Sequence, residues 1–127
     1  MDKLILGTAL VLSIIYLVPF VVYSLGSAVA GLRTPAGVSP KQFLISVFIS
    51  KIGTALAFVL IFHFAYSAFA GQWLLYAGLW WVMFAIGEIG QAIGPNYGWK
   101  ESVAGIISET IYLPLSAWLV DWLLGLN

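Results

Sequence analysis

The stretch GEIGQAIGPNYGWKESVAGIISE, from Gly87 to Glu109, decides how the chain is read. Its centre, Pro95-Asn96-Tyr97-Gly98, is a turn by its chemistry, because proline presets φ while asparagine and glycine accept unusual backbone conformations. Long apolar segments run away from that turn in both directions. Three of the five acidic residues, Glu88, Glu101 and Glu109, fall inside the stretch. A carboxylate within a membrane-spanning helix is costly, so such a residue marks a functional site that needs a partner.

Composition supports the membrane reading. Of 127 residues, 62% are hydrophobic and only 8% charged, and mean hydropathy is +1.05. Soluble domains carry roughly a quarter charged residues, which excludes that class. The sequence therefore reads as an all-α, polytopic integral membrane protein whose first partner is the lipid bilayer. Formal net charge is zero, so nothing in the chain offers a basic footprint to nucleic acid. The absence of cysteine excludes disulfides, thiolate metal sites and cysteine nucleophiles. A single histidine, His63, excludes a bis-histidine haem or a multi-histidine zinc site supplied by this chain alone. No cofactor is implied.

Four spans follow from the apolar runs, since a crossing needs about 20 residues. The first is expected over 4–31 as a retained helix, too long for the roughly 7–15-residue core of a signal peptide. Pro19 lies inside it, and Ser13, Tyr16, Tyr23 and Ser27 recur at helical spacing as a stripe suited to interhelical hydrogen bonds. The second is expected over 40–70. Ser39-Pro40-Lys41-Gln42 opens it with a capping box and proline at the first helical position. Ser46, Ser50, Gly53, Thr54 and Ala57 give it a small, weakly polar face suited to close packing. The third runs over 73–94, reached by a tight turn at Ala70-Gly71-Gln72, with Gly90 and Gly94 forming a G-x-x-x-G pair. The fourth covers 99–124, with Pro114 inside it and Glu101 in its first turn, where an acid complements the helix dipole. The arrangement is one four-helix transmembrane bundle, residues 1–127, built as two antiparallel hairpins.

Loop charges orient it. Arg33, Lys41 and Lys100 lie on one side and Lys3 on the other, so the positive-inside rule makes loops 32–42 and 94–100 cytoplasmic and both termini external. Helical rise then sets the depths. Lys51 lies roughly 14 Å into the second helix, Glu109 roughly 15 Å into the fourth, and Glu88 roughly 9 Å from the end of the third. A shared polar site in the cytoplasmic half follows, formed by Glu88, Glu109 and Lys51 with Gln91, Ser50, Ser108 and Thr110 at similar levels. Lys51 is expected to pair with Glu109 or Glu88, leaving one acid to be protonated, hydrated or matched by a cation. Gly105 leaves room for a neighbour to reach Glu109. His63 reads as a hydrogen-bonded packing residue at the opposite end, and Asp121 as a solvated residue near the interface.

Three functions compete. One is a small transporter or proton- or ion-translocating protein working as a homo-oligomer, because four helices barely enclose a pathway. Another is a non-catalytic accessory or assembly subunit packed beside other membrane subunits. The third is an enzyme acting on a lipid-like substrate, with Glu88 and Glu109 as acid, base or magnesium ligands. No acid-rich diphosphate motif or nucleophile motif accompanies them, so an enzyme ranks last. A bland alternative is that the charges are a buried ion pair fixing helix register.

Overall fold

The computed structural model describes residues 2–31, 39–94 and 98–126. Arg33, Pro35, Gly37 and the Pro95-Asn96-Tyr97 portion of the predicted turn lie outside the described residues. The architecture is all-helical: α1 (Asp2–Ala30), α2 (Pro40–Phe64), the short α3 (Tyr66–Phe69), α4 (Trp73–Ile93) and α5 (Trp99–Leu124). The four long helices are each long and apolar enough to cross a membrane, which suggests an integral membrane protein. They pack as a bundle.

Local chemistry accounts for the helix ends. Ser39 Oγ accepts the Gln42 N–H at 3.1 Å, with Pro40 at the first helical position, as the capping sequence requires. The second span is not one helix to residue 70. It breaks at Ala65 (φ −103°, ψ 27°), and the separate turn α3 follows before α4 begins. Gly71 closes that connection at φ +73°, a left-handed conformation that glycine adopts without a side-chain clash. Both Asp121 carboxylate oxygens accept the Gly71 N–H, at 3.2 and 3.1 Å. Asp121 therefore ties the end of α5 to the α3–α4 turn, a more specific role than the solvated one expected.

The organising helix is α5. Half of its most apolar window is buried inside the bundle, against 17% for each of the other three spans. It lies between α1 and α4, and α2 packs mainly against α1. The core gathers Val11 and Ile15 of α1, Ala55, Phe58, Val59 and Phe62 of α2, Tyr76 and Ala77 of α4, and Tyr112, Leu113, Ala117 and Val120 of α5. Gly7 lets α1 settle against Val59 and Leu123, where an added Cβ would stand 3.4 Å from Leu123 Cδ2. Rings of Phe58, Phe62, Phe69 and Tyr76 meet mostly edge to face at 4.8–4.9 Å, and the Tyr76 hydroxyl donates to the Phe58 carbonyl. Such offset aromatic contacts add stability beyond their buried area.

Burial is uneven along the bundle. The buried residues of α1 stop at Ile15, and those of α2 begin only at Ala55. Toward the termini the bundle is therefore tight on all sides. Toward the links between α1 and α2 and between α4 and α5, α1 and α2 both lose their burial, while hydrogen bonds still tie α1 to α5. Tyr23 still donates to the Glu101 carbonyl at 3.0 Å, and Lys100 Nζ to the Ala30 carbonyl at 3.2 Å. Along α2, no residue from Pro40 to Thr54 is buried. The α2 and α4 backbones barely approach each other, and aromatic side chains such as Phe58 and Trp80 bridge them only toward the termini.

Two small-residue readings change. Ser46, Ser50 and Gly53 of α2 face outward, and an added Cβ at Gly53 would meet nothing within 4 Å. Gly90 likewise faces open space, and among the described residues an added Cβ at Gly94 would meet its own helix's Gln91 carbonyl at 3.3 Å. In the described residues these faces do not pack helix on helix. The α1 stripe divides in the same way: Tyr16 and Tyr23 reach carbonyls of other helices, whereas Ser13 bonds back to Ala9 of its own turn.

Candidate functional site

The buried face of α5 carries the site. Ser102, Ser108, Glu109 and Ser116 are the buried polar residues among those described, all on this helix. Ser108 Oγ donates to the Ala104 carbonyl at 2.9 Å, which satisfies it within its own helix. Ser102 Oγ reaches across to the Glu88 carbonyl at 2.8 Å and fixes α4 against α5. Below that bond Gly105 removes a side chain where one would block the approach. A Cβ there would stand 2.5 Å from Glu88 Oε1 and 2.7 Å from Oε2. The neighbour that Gly105 admits toward Glu109 is thus the Glu88 carboxyl group.

Glu88 is thereby placed beside Glu109, which follows Gly105 by one turn on the same face of α5. Glu109 is only 5% exposed. Among the described residues, Glu88 Oε2 and Glu109 Oε1 are buried without a hydrogen-bond partner. Buried polar atoms without partners are rare, and each calls for an explanation such as a bound ion, a water or a catalytic role; Ser116 Oγ, further along α5, is a third.

Lys51 completes the group from α2. It lies on the same helical face as Phe58 and Phe62, so it points inward by the 100° step per residue. The direct ion pair expected from the sequence is not formed among the described residues. Lys51 Nζ instead donates to the Tyr112 hydroxyl at 3.3 Å and lies 5.0 Å from the Tyr112 ring centroid and 5.9 Å from that of Phe84. An ammonium on aromatic faces is stabilised by their quadrupoles, most strongly where water is excluded. Glu109 and Glu88 both remain within electrostatic range of it.

The remaining candidates do not converge. Gln91 and Ser50 are exposed. Thr110 is exposed too, donating to the Ile106 carbonyl at 2.7 Å and accepting from Trp81 Nε1 at 2.9 Å. Ser108 is buried but engaged, as described. His63 lies exposed, its ring against neighbouring Phe64 at 5.3 Å between centroids, rather than packed inside the bundle. Glu101 folds its carboxyl group over Gly98 at the start of α5, in keeping with a helix-terminus role. Among the described residues no three His, Asp or Glu side chains gather as a metal-binding group.

Sequence reasoning missed Tyr112 and Phe84. Tyr112 follows Glu109 at a spacing that shares its face, and this was the available signal. Phe84 stands one turn before Glu88 in the same way. Comparison with protein-family models, curated proteins and solved structures found no match for this chain.

Proposed function

We propose that the chain is a small membrane transporter or ion-translocating protein whose working group is the Glu88–Glu109 pair, serving a proton or a monovalent cation. The observation that supports this most is the Glu88 carboxyl group lying against Gly105, one turn before Glu109, with a partnerless buried oxygen on each acid. Ionised carboxylates are acceptors only, so two of them in contact need a proton or cation between them. Lys51 supplies one positive charge for two acids, which leaves one charge to be matched. That remainder is what an exchangeable proton would neutralise. The positive charge of the loops supports placing this site in the cytoplasmic half, with both termini external.

Reconstituted vesicles loaded with a pH-sensitive dye test the proposal. Wild type should carry proton-linked flux, and Glu88→Gln and Glu109→Gln should each abolish most of it while keeping helical content and melting behaviour. Equal flux in both folded variants would rule the reading out. A second reading, an accessory subunit of a larger membrane assembly, draws on the outward small-residue faces of α2 and α4 around Gly53 and Gly90. Its mark would be absence of flux in wild type together with co-purification of unlike subunits. An enzyme acting on a lipid-like substrate draws less support, since Gln91 stands exposed rather than buried with the two acids.

A further inference from the structure

The position of Lys51 leads beyond the exchange of a proton to what that exchange would move; this step rests on the function proposed above. Two acids lie within electrostatic range of the ammonium, yet it hydrogen-bonds to Tyr112 and rests on two aromatic rings. Tyr112 lies one turn beyond Glu109 on the same helix, and a turn is about 5.4 Å. The tip of a lysine side chain can cover such a distance with a small shift of its helix. Lysine carries three donors, and Tyr112 uses one of them.

On that side the helix bearing Lys51 packs chiefly against α1 rather than against the α4–α5 pair. From Pro40 to Thr54 it buries no residue. It is steadied against α1 by a 3.4 Å bond from the Tyr16 hydroxyl to the Leu44 carbonyl and by the edge-on contact of Tyr16 with Phe48. Below Lys51 the aromatic contacts with α4 hold α2 in place and provide a natural pivot. The linker half of α2 thus stands apart, backbone to backbone, from α4, with Lys51 on the one helix and Glu88 on the other.

We propose that Lys51 is a tethered counter-ion that draws two helices together: it rests on Tyr112 and Phe84 while the Glu88–Glu109 pair holds its proton, and moves onto the carboxylates when the proton leaves, pulling the linker half of α2 toward α4. The proton goes to solvent, the two carboxylates then carry two negative charges against the single ammonium, and that added negative charge is what draws Lys51 onto them. The groups facing the pair are Lys51 from α2 and Tyr112 from α5. The α1 tyrosines nearest the linkers, Tyr16 and Tyr23, are occupied at backbone carbonyls. A ligand shifts a two-state element only by its difference in interaction between the two states, and here that difference is the ion pair itself.

The chain has no cysteine, so spin labels can be placed at Ser46→Cys on α2 and Ile93→Cys on α4, both exposed positions. Pulsed electron resonance on the reconstituted, doubly labelled protein should show the separation shortening by a few ångströms from acidic to alkaline buffer. Lys51→Met should abolish that shortening, and Lys51→Arg should retain it. Glu88→Gln combined with Glu109→Gln should hold the long distance at every pH. A wild-type distance that ignores pH overturns the proposal, as does shortening that survives in Lys51→Met. The same vesicles are assayed for proton flux. Flux with an unresponsive distance removes the closing device and leaves the function; a responsive distance without flux does the reverse.

Discussion

The carboxyl group of Glu88 occupies the space that a side chain at Gly105 would fill, with Glu88 Oε1 2.5 Å from the position of the missing Cβ. The glycine is therefore part of the site, although it offers no functional group. It permits one acid to cross from α4 to another on α5, and the Ser102–Glu88 backbone bond sets the register of that crossing.

Gly105→Ala should separate the effects of site and fold. The methyl group meets the flexible end of Glu88, which can swing away, so the stability cost should stay near the lower end of the 1–3 kcal/mol typical of overpacking. Flux should fall as far as in Glu88→Gln. A vesicle assay beside thermal unfolding in detergent measures both, and undiminished flux would show that the carboxyl contact is dispensable.

Tyr112→Phe removes the hydroxyl that accepts from Lys51 Nζ while keeping the ring beneath the ammonium. The expected loss is about 1–3 kcal/mol, the range for a hydrogen bond to a charged group. Lys51→Met in the same background should then cost less than it does in wild type, because the two side chains share one interaction. A double-mutant cycle on unfolding free energy reads this coupling directly.

At the other end of the bundle, Tyr76→Phe should cost about 1 kcal/mol through loss of the buried bond to the Phe58 carbonyl. Tyr76→Ala should cost about 3–5 kcal/mol, because a cavity opens among Phe58, Phe62 and Phe69. Denaturant or thermal unfolding in micelles distinguishes the two losses. Equal effects would mean that the rings contribute little.

Asp121→Ala leaves the Gly71 N–H without its carboxylate, and Gly71→Ala forces a side chain into φ +73°. The second change should cost about 1–2 kcal/mol. Both should make the α3–α4 turn the first point of proteolytic cleavage, visible as paired fragments in a timed digest. A digest pattern unchanged from wild type in both variants would show that the turn holds without this tie.

Topology has a direct test because no native cysteine interferes. Ser39→Cys and Gly98→Cys should react with a membrane-impermeant thiol reagent from one face. Gly71→Cys and Leu126→Cys should react from the other. The positive-inside rule places the first pair in the cytoplasm, and labelling of that pair from outside intact cells would reverse the orientation.

What the sequence determined was local. The lengths of the apolar runs define four spans, and Ser39-Pro40 with Gln42 marks the start of α2 where the structure also starts it. Glu88, Glu109 and Lys51 stood out because charge is scarce in the chain and because helical rise put them at similar depths. The break at Ala65 was not legible, since the residues around it are all compatible with helix.

Rotation and neighbourhood belonged to the tertiary structure. Helices that are apolar all round carry no stripe to show which face meets protein and which meets lipid. Between such helices there is also little hydrophobic drive to choose for them; close fit and hydrogen bonds decide. That is why Ser50, Gly53, Gly90 and Gln91 could be read as contact residues and yet face outward. It is also why Lys51 was matched to the nearest opposite charges by depth alone. Only the tertiary packing shows that Tyr112 and Phe84 hold the ammonium, and that the Glu88 carboxyl group fills the gap left by Gly105 beside Glu109.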